Sequence, residues 1–216
     1  MLQLLWADVE ALDLDDLPPL SAYRREKLNR QKLTSARRCS AGVELLLIHA
    51  LRRQGLAFSL PLDIKIQPGG KPCLAGMFLQ FNQSHSAHFA ACALADAPLG
   101  LDIQTLSPCR VSFVRRFFAP EEQEEIYQSA DKDAAFTRLW CRKESFLKAT
   151  GRGLRVELSA LCVARDAPEP AYAGQSYRFL EAREGDLFFC VCLPAQAAGN
   201  SRLLPEKINL CGGSDV

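Results

Sequence analysis

The sequence predicts an α+β protein built from two lobes of similar make-up, and two observations support this prediction. Apolar residues recur at helical spacing over 35–53 and again over 133–150, which predicts one long helix in each half. Short apolar segments bounded by Gly, Pro or polar turns surround each helix, which is typical of short strands. No sequence identity links the two halves, so the order of elements alone suggests a duplication.

The elements of the first half follow from this pattern. A strand is predicted over 2–7, and the helix over 35–53 is predicted to end near Gly55. Strands are predicted over 64–66, 89–94 and 99–103, with Pro68-Gly69-Gly70 forming a turn after the first of them. We place the end of this lobe at residue 104.

The second half is predicted in the same way. Residues 113–118 are expected to be helical, Pro120 opens another helix, and the long helix over 133–150 is closed by Gly151 and Gly153. Strands are predicted over 161–163, 177–180 and 187–193. The second lobe therefore spans 105–194, and residues 195–216 form a loose tail.

The composition is that of a globular protein. The chain has 216 residues, of which 48% are hydrophobic and 24% charged, with a formal net charge of +1, so no global field favours nucleic acid or a membrane as partner. No apolar stretch is long enough to span a bilayer, and Leu2–Leu5 is too short for a signal peptide. The nine cysteines form no paired CxxC framework, so we expect free thiols and a cytoplasmic protein.

The second long helix carries polar residues on one face. Trp140, Glu144 and Lys148 follow at four-residue intervals, and by itself the Glu–Lys pair is typical of an ordinary surface ion pair. Asp102 lies in an apolar strand, where a buried carboxylate needs a cationic partner, a hydrogen-bonding cap or exposure at the strand end. A magnesium ion held by Asp102 and Glu144 would meet that need, since magnesium prefers oxygen ligands.

Two further segments carry polar groups, each with an ordinary explanation beside the functional one. The segment Phe81-Asn-Gln-Ser-His85 could bind a phosphate or satisfy a turn, and Lys71 adds a cation in a Gly-Lys-Pro turn. A run of basic residues is typical of a solvated helix face. This run comprises Arg24, Arg25, Lys27, Arg30, Lys32, Arg37 and Arg38.

Taken in order, these segments resemble the 4'-phosphopantetheinyl transferases of the larger, surfactin-synthetase-activating type. The resemblance covers about 21–193, and several motifs in the right order are far more specific than any one of them. The matching motifs are Gly70-Lys71-Pro72, Phe81-Asn82-x-Ser84-His85, Gly100-x-Asp102-Ile103, Arg116-Phe117-Phe118 with Glu122, Trp140-x-x-Lys143-Glu144-Ser145-Phe146-x-Lys148 and Gly151-x-Gly153-Leu154.

The resemblance implies an activity and an architecture. Members of the family transfer 4'-phosphopantetheine from coenzyme A to a serine of an acyl or peptidyl carrier protein and release 3',5'-ADP, with magnesium. The carriers serve fatty-acid, polyketide or nonribosomal peptide synthesis. The larger members resemble two fused copies of a smaller subunit, each a long helix on a small antiparallel sheet, related by a pseudo-twofold axis with the active site between the lobes. A monomer is therefore expected.

The resemblance also implies roles for individual residues. Asp102 and Glu144 match the magnesium ligands, and Lys148 matches a lysine at the coenzyme A pyrophosphate. Glu144 and Glu122 are the two candidates for the base that deprotonates the serine. The residues that match coenzyme A contacts are Lys71, Ser84 and His85, with Arg24, Lys27 and Arg37 at the nucleotide phosphates. For the basic run, the resemblance therefore favours phosphate binding over the interpretation as a solvated helix face.

One departure concerns Gln104, because many relatives carry an acid at that position. A glutamine carbonyl can still coordinate magnesium or hold one of its waters, but it brings no negative charge. Two other functions remain open at this stage. One is a binding module for coenzyme A or a carrier protein without turnover, and the other is a magnesium-dependent nucleotide pyrophosphohydrolase.

Overall fold

The computed structural model describes residues 1–67, 69–151, 157–199 and 201–211, and it confirms the α+β class. The chain divides into two compact units, Met1–Asp96 with the segment that begins at Leu204, and Ala97–Leu203. The predicted boundary at 104 would run through a strand that pairs inside the second unit, and the division falls ahead of that strand instead. The pseudo-twofold relation between the lobes stays a prediction.

Most predicted elements are present, with ends shifted by at most four residues. In chain order they are β1 (Leu2–Asp8), α1 (Ala22–Arg30), α2 (Thr34–Arg53), β2 (Ile64–Ile66), β3 (Pro72–Leu74), β4 (Gln80–Ser86), β5 (Phe89–Ala95), β6 (Gly100–Thr105), α3 (Val111–Phe117), α4 (Pro120–Gln128), α5 (Lys132–Thr150), β7 (Ala171–Tyr172), β8 (Gln175–Glu184), β9 (Leu187–Pro194), α6 (Ala195–Ala198) and β10 (Pro205–Lys207).

The first unit packs the helix α2 against a four-stranded sheet. The strand order is β10-β1-β5-β4, in which β5 runs antiparallel to both of its neighbours. The apolar face of α2 includes Leu46 and Leu47 and shares one buried cluster with Leu5 and Phe81 from the sheet. The short strands β2 and β3 form a separate hairpin.

The described residues after 194, namely 195–199 and 201–211, differ from the loose tail that their composition predicts. They form the short helix α6, and β10 then pairs in parallel with β1, with Leu4 opposite Pro205 and Trp6 opposite Lys207. Leu203 and Leu210 are buried on either side of β10. Pairing with an otherwise open edge of β1 therefore fixes a segment that has no strand pattern of its own.

The second unit packs α5 against the antiparallel sheet β6-β9-β8-β7. Every residue of β9 is buried, in keeping with its continuous apolar run. Asp131 caps the start of α5, and Gly151 ends it in the left-handed conformation at φ 66°, as predicted. Gly153 and Leu154 of the last motif lie outside the described residues.

The strand predicted over 161–163 is wrong, because this segment is a loop after a single turn of 3-10 helix at Leu158–Ala160. Side chains satisfy its backbone groups in place of a neighbouring strand. Lys143 donates to the carbonyl of Leu161, Arg142 donates to the carbonyl of Val163 at 2.7 Å, and the amide of Val163 donates to Glu122 at 2.8 Å. The segment is apolar because Leu161 and Val163 pack in the cluster that contains Val114 of α3 and Ile126 of α4.

Within the described ranges, no helix combines the length and the apolar character needed to cross a membrane.

Candidate active site

The strand β6 approaches the helix α5 unusually closely, and a glycine permits this approach. A Cβ atom added at Gly100 would lie 2.0 Å from the carbonyl oxygen of Ser145 and 2.3 Å from the amide nitrogen of Ala149. Both are backbone atoms, so no side chain could move aside to make room. Residue 100 must therefore be glycine for β6 to lie against the last turns of α5, and this contact brings Asp102 to the helix.

Asp102 is almost fully buried, and both its side chain and its backbone carbonyl accept hydrogen bonds. Its side chain is 4% exposed, and Oδ1 accepts a hydrogen bond from Nζ of Lys148 at 2.6 Å. Oδ2 accepts from Nε2 of Gln104 at 2.8 Å. The backbone carbonyl of Asp102 accepts from the thiol of Cys141 at 3.1 Å. The structure thus brings Asp102, Gln104 and Lys148 together and gives the buried carboxylate the cationic partner that it needs.

Glu144 lies on the same helix as Lys148, one turn earlier, and its pKa responds to a second carboxylate nearby, that of Asp102. Burial raises the pKa of Glu144 and the negative charge of Asp102 raises it further, while Lys148 lowers it. A buried and a half-buried carboxylate that repel each other form a donor set that suits a divalent cation with a preference for oxygen. The residues present therefore fit magnesium.

Trp140 completes the predicted face of α5 but takes part in packing. Its ring makes an edge-on contact with Phe113 at 5.0 Å between centroids and a tilted contact with Phe118 at 6.2 Å. These rings hold α3 and the residue that caps its C-terminus against α5. Trp140 therefore stabilises the helix on which Glu144 and Lys148 lie.

Glu122 occupies a different environment from Glu144. It is fully buried, and Lys143, also fully buried, forms an ion pair with it at 2.8 Å. Its carboxylate also accepts from the amides of Ala119 at 2.6 Å and Val163 at 2.8 Å. Burial raises the pKa of Glu122 and lowers that of Lys143, and the charge of each opposes the shift of the other. The geometry supports an anchoring role for this carboxylate and gives it no exposed face for a substrate.

In the first unit, Arg24 differs from the expectation that it holds a nucleotide phosphate. Its side chain is 4% exposed, and its guanidinium donates to Glu44 at 3.3 Å, to Ser40 at 3.2 Å and to Gln83. Glu44 is fully buried and also accepts from the amide and hydroxyl of Ser21. The buried position follows from spacing, because Arg24 and Leu28 form the one inward face of α1.

The other predicted coenzyme A contacts in the first unit are more accessible than Arg24, except for Ser84, which is buried. Lys27 is exposed, with Nζ 4.6 Å from the centre of the Tyr23 ring, and Arg37 is exposed near the start of α2. Lys71 is half-buried in the turn before β3. On β4, Ser84 is buried and His85 exposed, as expected of consecutive strand residues that point to opposite faces.

One group of three possible metal-binding side chains occurs among the described residues, and it is not the predicted one. Asp8, Glu10 and His88 each offer a ligand atom, all within 4.8 Å of one another, in the first unit. His88 lies 3.7 Å from Asp8, and both side chains are about two-fifths exposed. Polar side chains commonly lie side by side at a protein surface without a metal ion, and this arrangement needs no other explanation.

Three functional or structural residues were not predicted from the sequence in the roles that they have. The sequence predicts for Lys143 only its place in a motif, for Glu44 only a helical position and for Gly100 only a position in a strand motif. A glycine inside an apolar strand is a general signal of close backbone approach, so Gly100 could have been recognised. The partners of Lys143 and Glu44 lie 21 and 20 residues away in sequence, at Glu122 and Arg24, and no local pattern reveals them.

The protein is of the α+β class, and its candidate site consists of two carboxylates and a partly exposed lysine where the strand β6 meets the helix α5. A family model described as the 4'-phosphopantetheinyl transferase superfamily matches residues 98–191. This segment lies within the second unit and contains Asp102, Gln104, Glu122, Glu144 and Lys148.

Several proteins named 4'-phosphopantetheinyl transferase are similar to this chain. A 4'-phosphopantetheinyl transferase of Bacillus subtilis is 33% identical over 149 residues, which cover 67% of this chain and 66% of that protein. The 4'-phosphopantetheinyl transferase psf-1 of Bacillus pumilus is 34% identical over 155 residues, or 68% and 65%. The 4'-phosphopantetheinyl transferase HetI of a Nostoc species is 39% identical over 111 residues, or 47% and 46%.

The chain belongs to the 4'-phosphopantetheinyl transferase superfamily. The matched part covers slightly less than two thirds of the length of the two Bacillus relatives.

Proposed function

We propose that the protein transfers the 4'-phosphopantetheine group of coenzyme A to a serine of an acyl or peptidyl carrier protein and releases 3',5'-ADP. The observation that supports this most strongly is the group formed by Asp102, Glu144 and Lys148 in a chain that belongs to this superfamily. It combines a donor set for a divalent cation with a partly exposed ammonium group. A pyrophosphate needs both kinds of positive charge.

Asp102 and Glu144 are the residues that would hold magnesium, with Gln104 beside Asp102 as the third candidate. Magnesium bound there would neutralise negative charge on the pyrophosphate, increasingly so as charge develops on the leaving group. The amide of Gln104 supplies a hydrogen bond to Asp102, so its first effect is to orient that carboxylate. Its carbonyl oxygen is the atom that could bind the cation or one of its waters.

Lys148 is the residue that would neutralise a phosphate oxygen of coenzyme A. Its side chain is 29% exposed, so the ammonium can reach solvent as well as Asp102. In the first unit, Lys27, Arg37, Lys71 and His85 are the accessible candidates for the nucleotide phosphates, with Ser84 buried beside them. We leave Arg24 out of this group because buried partners occupy its guanidinium.

Glu144 is the better candidate for the base that takes the serine proton. Its side chain is half-buried, whereas that of Glu122 is fully buried, so of the two only Glu144 can meet a serine hydroxyl. In the metal-free protein, burial and the charge of Asp102 also raise the pKa of Glu144. Glu122 is enclosed by Lys143 and two backbone amides, and we propose that it anchors the loop over 158–163. Glu144→Gln should therefore abolish transfer and leave the fold intact.

The test is to incubate the protein with coenzyme A, magnesium and an apo acyl carrier protein and to measure the carrier by intact mass spectrometry. The expected result is a gain of one phosphopantetheine, which is lost with EDTA, with a Ser→Ala carrier and with Glu144→Gln. The matched control is Glu121→Gln, because Glu121 is exposed on α4 and undergoes the same change of charge. The same assay is then repeated with an apo peptidyl carrier protein as the second carrier.

Two other outcomes would replace the proposal. Release of 3',5'-ADP without any carrier protein would indicate a pyrophosphohydrolase, in which water takes the place of serine. Tight binding of coenzyme A without transfer to either carrier class would indicate a binding module. The presence of Gln104 favours such a module, since its amide hydrogen-bonds the buried Asp102 and it adds no negative charge to the site. Gln104→Glu would then be expected to restore turnover.

A further inference from the structure

Asp102 already has a cation beside it. Nζ of Lys148 lies 2.6 Å from Oδ1, and the amide of Gln104 takes Oδ2 at 2.8 Å. The carboxylate is 4% exposed, so little solvent screens its interaction with the ammonium. Any metal ion that binds to Asp102 must compete with this lysine for the same negative charge.

We propose that Lys148 is the resident counter-ion of Asp102 in the metal-free protein and must leave Asp102 before a divalent cation can bind tightly. The phosphate-bearing co-substrate gives the ammonium a new partner. Cation and co-substrate therefore bind cooperatively, with Lys148 as the element that couples them. The second part rests on the proposed function, whereas the competition for Asp102 does not.

The position of Lys148 allows this exchange. It lies in the last turn of α5, its side chain is 29% exposed, and a long flexible stem carries the ammonium. The neighbouring lysine of the same helix provides the contrast. Lys143 is fully buried and donates to the carbonyls of Leu158 and Leu161 as well as to Glu122, so it has no route to another partner.

Glu144 is the second group that responds to this exchange. The charge of Asp102 raises its pKa, and the charge of Lys148 lowers it. Lys148 thus compensates two carboxylates that would otherwise repel each other across the site. A divalent cation compensates both carboxylates more completely, which makes ammonium and metal ion alternative solutions to one electrostatic problem.

The test measures binding of Mn²⁺ to the free protein by electron paramagnetic resonance, with no carrier protein and no coenzyme A. Mn²⁺ is the probe because it shares the preference of Mg²⁺ for carboxylate and carbonyl oxygens. We expect Lys148→Met to bind Mn²⁺ on the order of tenfold more tightly than the wild type, since the competing charge is gone. Equal or weaker binding by Lys148→Met would overturn the proposal, and so would the absence of binding in both proteins.

The matched control is Lys132→Met, which removes the same charge from the same helix. Lys132 is exposed at the first position of α5, roughly 24 Å along the helix axis from Lys148. Its Mn²⁺ affinity should equal that of the wild type. Lys148→Gln is the second variant, in case Lys148→Met does not fold, and circular dichroism of each variant establishes that it does.

A second titration tests the coupling. Saturating coenzyme A should tighten Mn²⁺ binding by the wild type at least about fivefold, after correction for Mn²⁺ bound to coenzyme A in solution, and clearly less in Lys148→Met. An equal gain in both proteins would refute the coupling. Absence of transfer to any carrier, combined with the expected Mn²⁺ affinities, would refute the transferase and leave the counter-ion role standing.

Discussion

The helix α5 carries two lysines five residues apart that differ in almost every physical respect. Lys143 is fully buried and forms an ion pair with an equally buried Glu122 at 2.8 Å. Lys148 forms an ion pair with Asp102 at 2.6 Å, but its own side chain is 29% exposed. One lysine is enclosed at all its hydrogen-bonding sites, and the other reaches solvent.

This difference gives the two lysines of one motif different roles, because one stabilises the fold and the other can take part in binding. Removing one partner of a buried ion pair leaves an uncompensated charge, so Lys143 and Glu122 hold each other in place. They also tie α4 and the loop over 158–163 to α5 through the backbone of Ala119, Leu158 and Val163. An ammonium at the edge of solvent can exchange partners without breaking the fold. Of these two lysines, only Lys148 is therefore suited to contact a phosphate.

The largest expected effect is that of Lys143→Met. It leaves the buried Glu122 unpaired and should lower the free energy of unfolding by about 3–5 kcal/mol. Urea denaturation in EDTA measures this loss. Glu122→Met in the Lys143→Met background should recover part of it, because an apolar pair of similar volume replaces a lone charge.

Lys148→Met is the control for that comparison. It should lose less stability than Lys143→Met and regain part of the loss when Mg²⁺ is added. Equal losses in the two variants, with no response to Mg²⁺, would erase the distinction between an enclosed and an exchangeable lysine.

The same comparison can be extended to α1, where Arg24 is buried and Lys27 is exposed. Arg24→Ala leaves Glu44 buried without its cation and should also cost about 3–5 kcal/mol of stability. Lys27→Ala should change stability by less than about 0.5 kcal/mol. Calorimetric titration with coenzyme A should then show weaker binding for Lys27→Ala. A stable Arg24→Ala variant that has lost coenzyme A affinity would return Arg24 to the phosphate site.

Gly100→Ala should have an intermediate effect, since it tests the approach of β6 to α5. Its Cβ would meet two backbone atoms at 2.0 and 2.3 Å, so the strand must move, at about 1–3 kcal/mol or more of stability. Asp102 lies two residues further along, and we expect Mn²⁺ affinity to fall as well. Gly42→Ala is the control, because its closest contact is a side chain, Cγ1 of Val9 at 2.6 Å. A loss of stability with unchanged metal affinity would show that the approach does not position Asp102.

Much of the site could be predicted because its signals are local. A carboxylate inside an apolar strand is anomalous wherever it occurs, which singled out Asp102. Residues four apart on a helix share a face, which placed Glu144 and Lys148 together. The long helices and most strands followed from the period of their apolar residues, as α2 and β9 illustrate.

The rest depends on partners that are distant in sequence. The pairs Lys143–Glu122 and Arg24–Glu44 form only in the folded chain, so nothing local distinguishes a buried basic residue from an exposed one. The strand predicted over 161–163 failed for the same reason, since Lys143, Arg142 and Glu122 satisfy its backbone. The strand β10 has no pattern of its own and exists because an edge of β1 accepts it.

The smallest expected effect is a gain of stability in Glu144→Gln, measured without metal. The pKa of Glu144 lies above its ordinary value of 4.5 in the folded protein, so its ionised form is less stable there than in the unfolded chain. The wild type should therefore lose stability relative to Glu144→Gln as the pH rises from 4.5 through the raised pKa. Thermal unfolding in EDTA at a series of pH values measures the difference, which should be greatest near neutrality and vanish on acidification.

Mg²⁺ should reverse the sign of this difference, because a cation held by Asp102 and Glu144 stabilises the folded wild type by an amount that grows with the ratio of free Mg²⁺ concentration to its Kd. The exposed Glu121→Gln should respond neither to pH nor to Mg²⁺ in this way. If Glu144→Gln is less stable than the wild type in EDTA, the charge of Lys148 already outweighs both the burial of Glu144 and its repulsion by Asp102. The ammonium would then be a sufficient counter-ion for both carboxylates, and the site would have no electrostatic need for a metal ion before the co-substrate arrives.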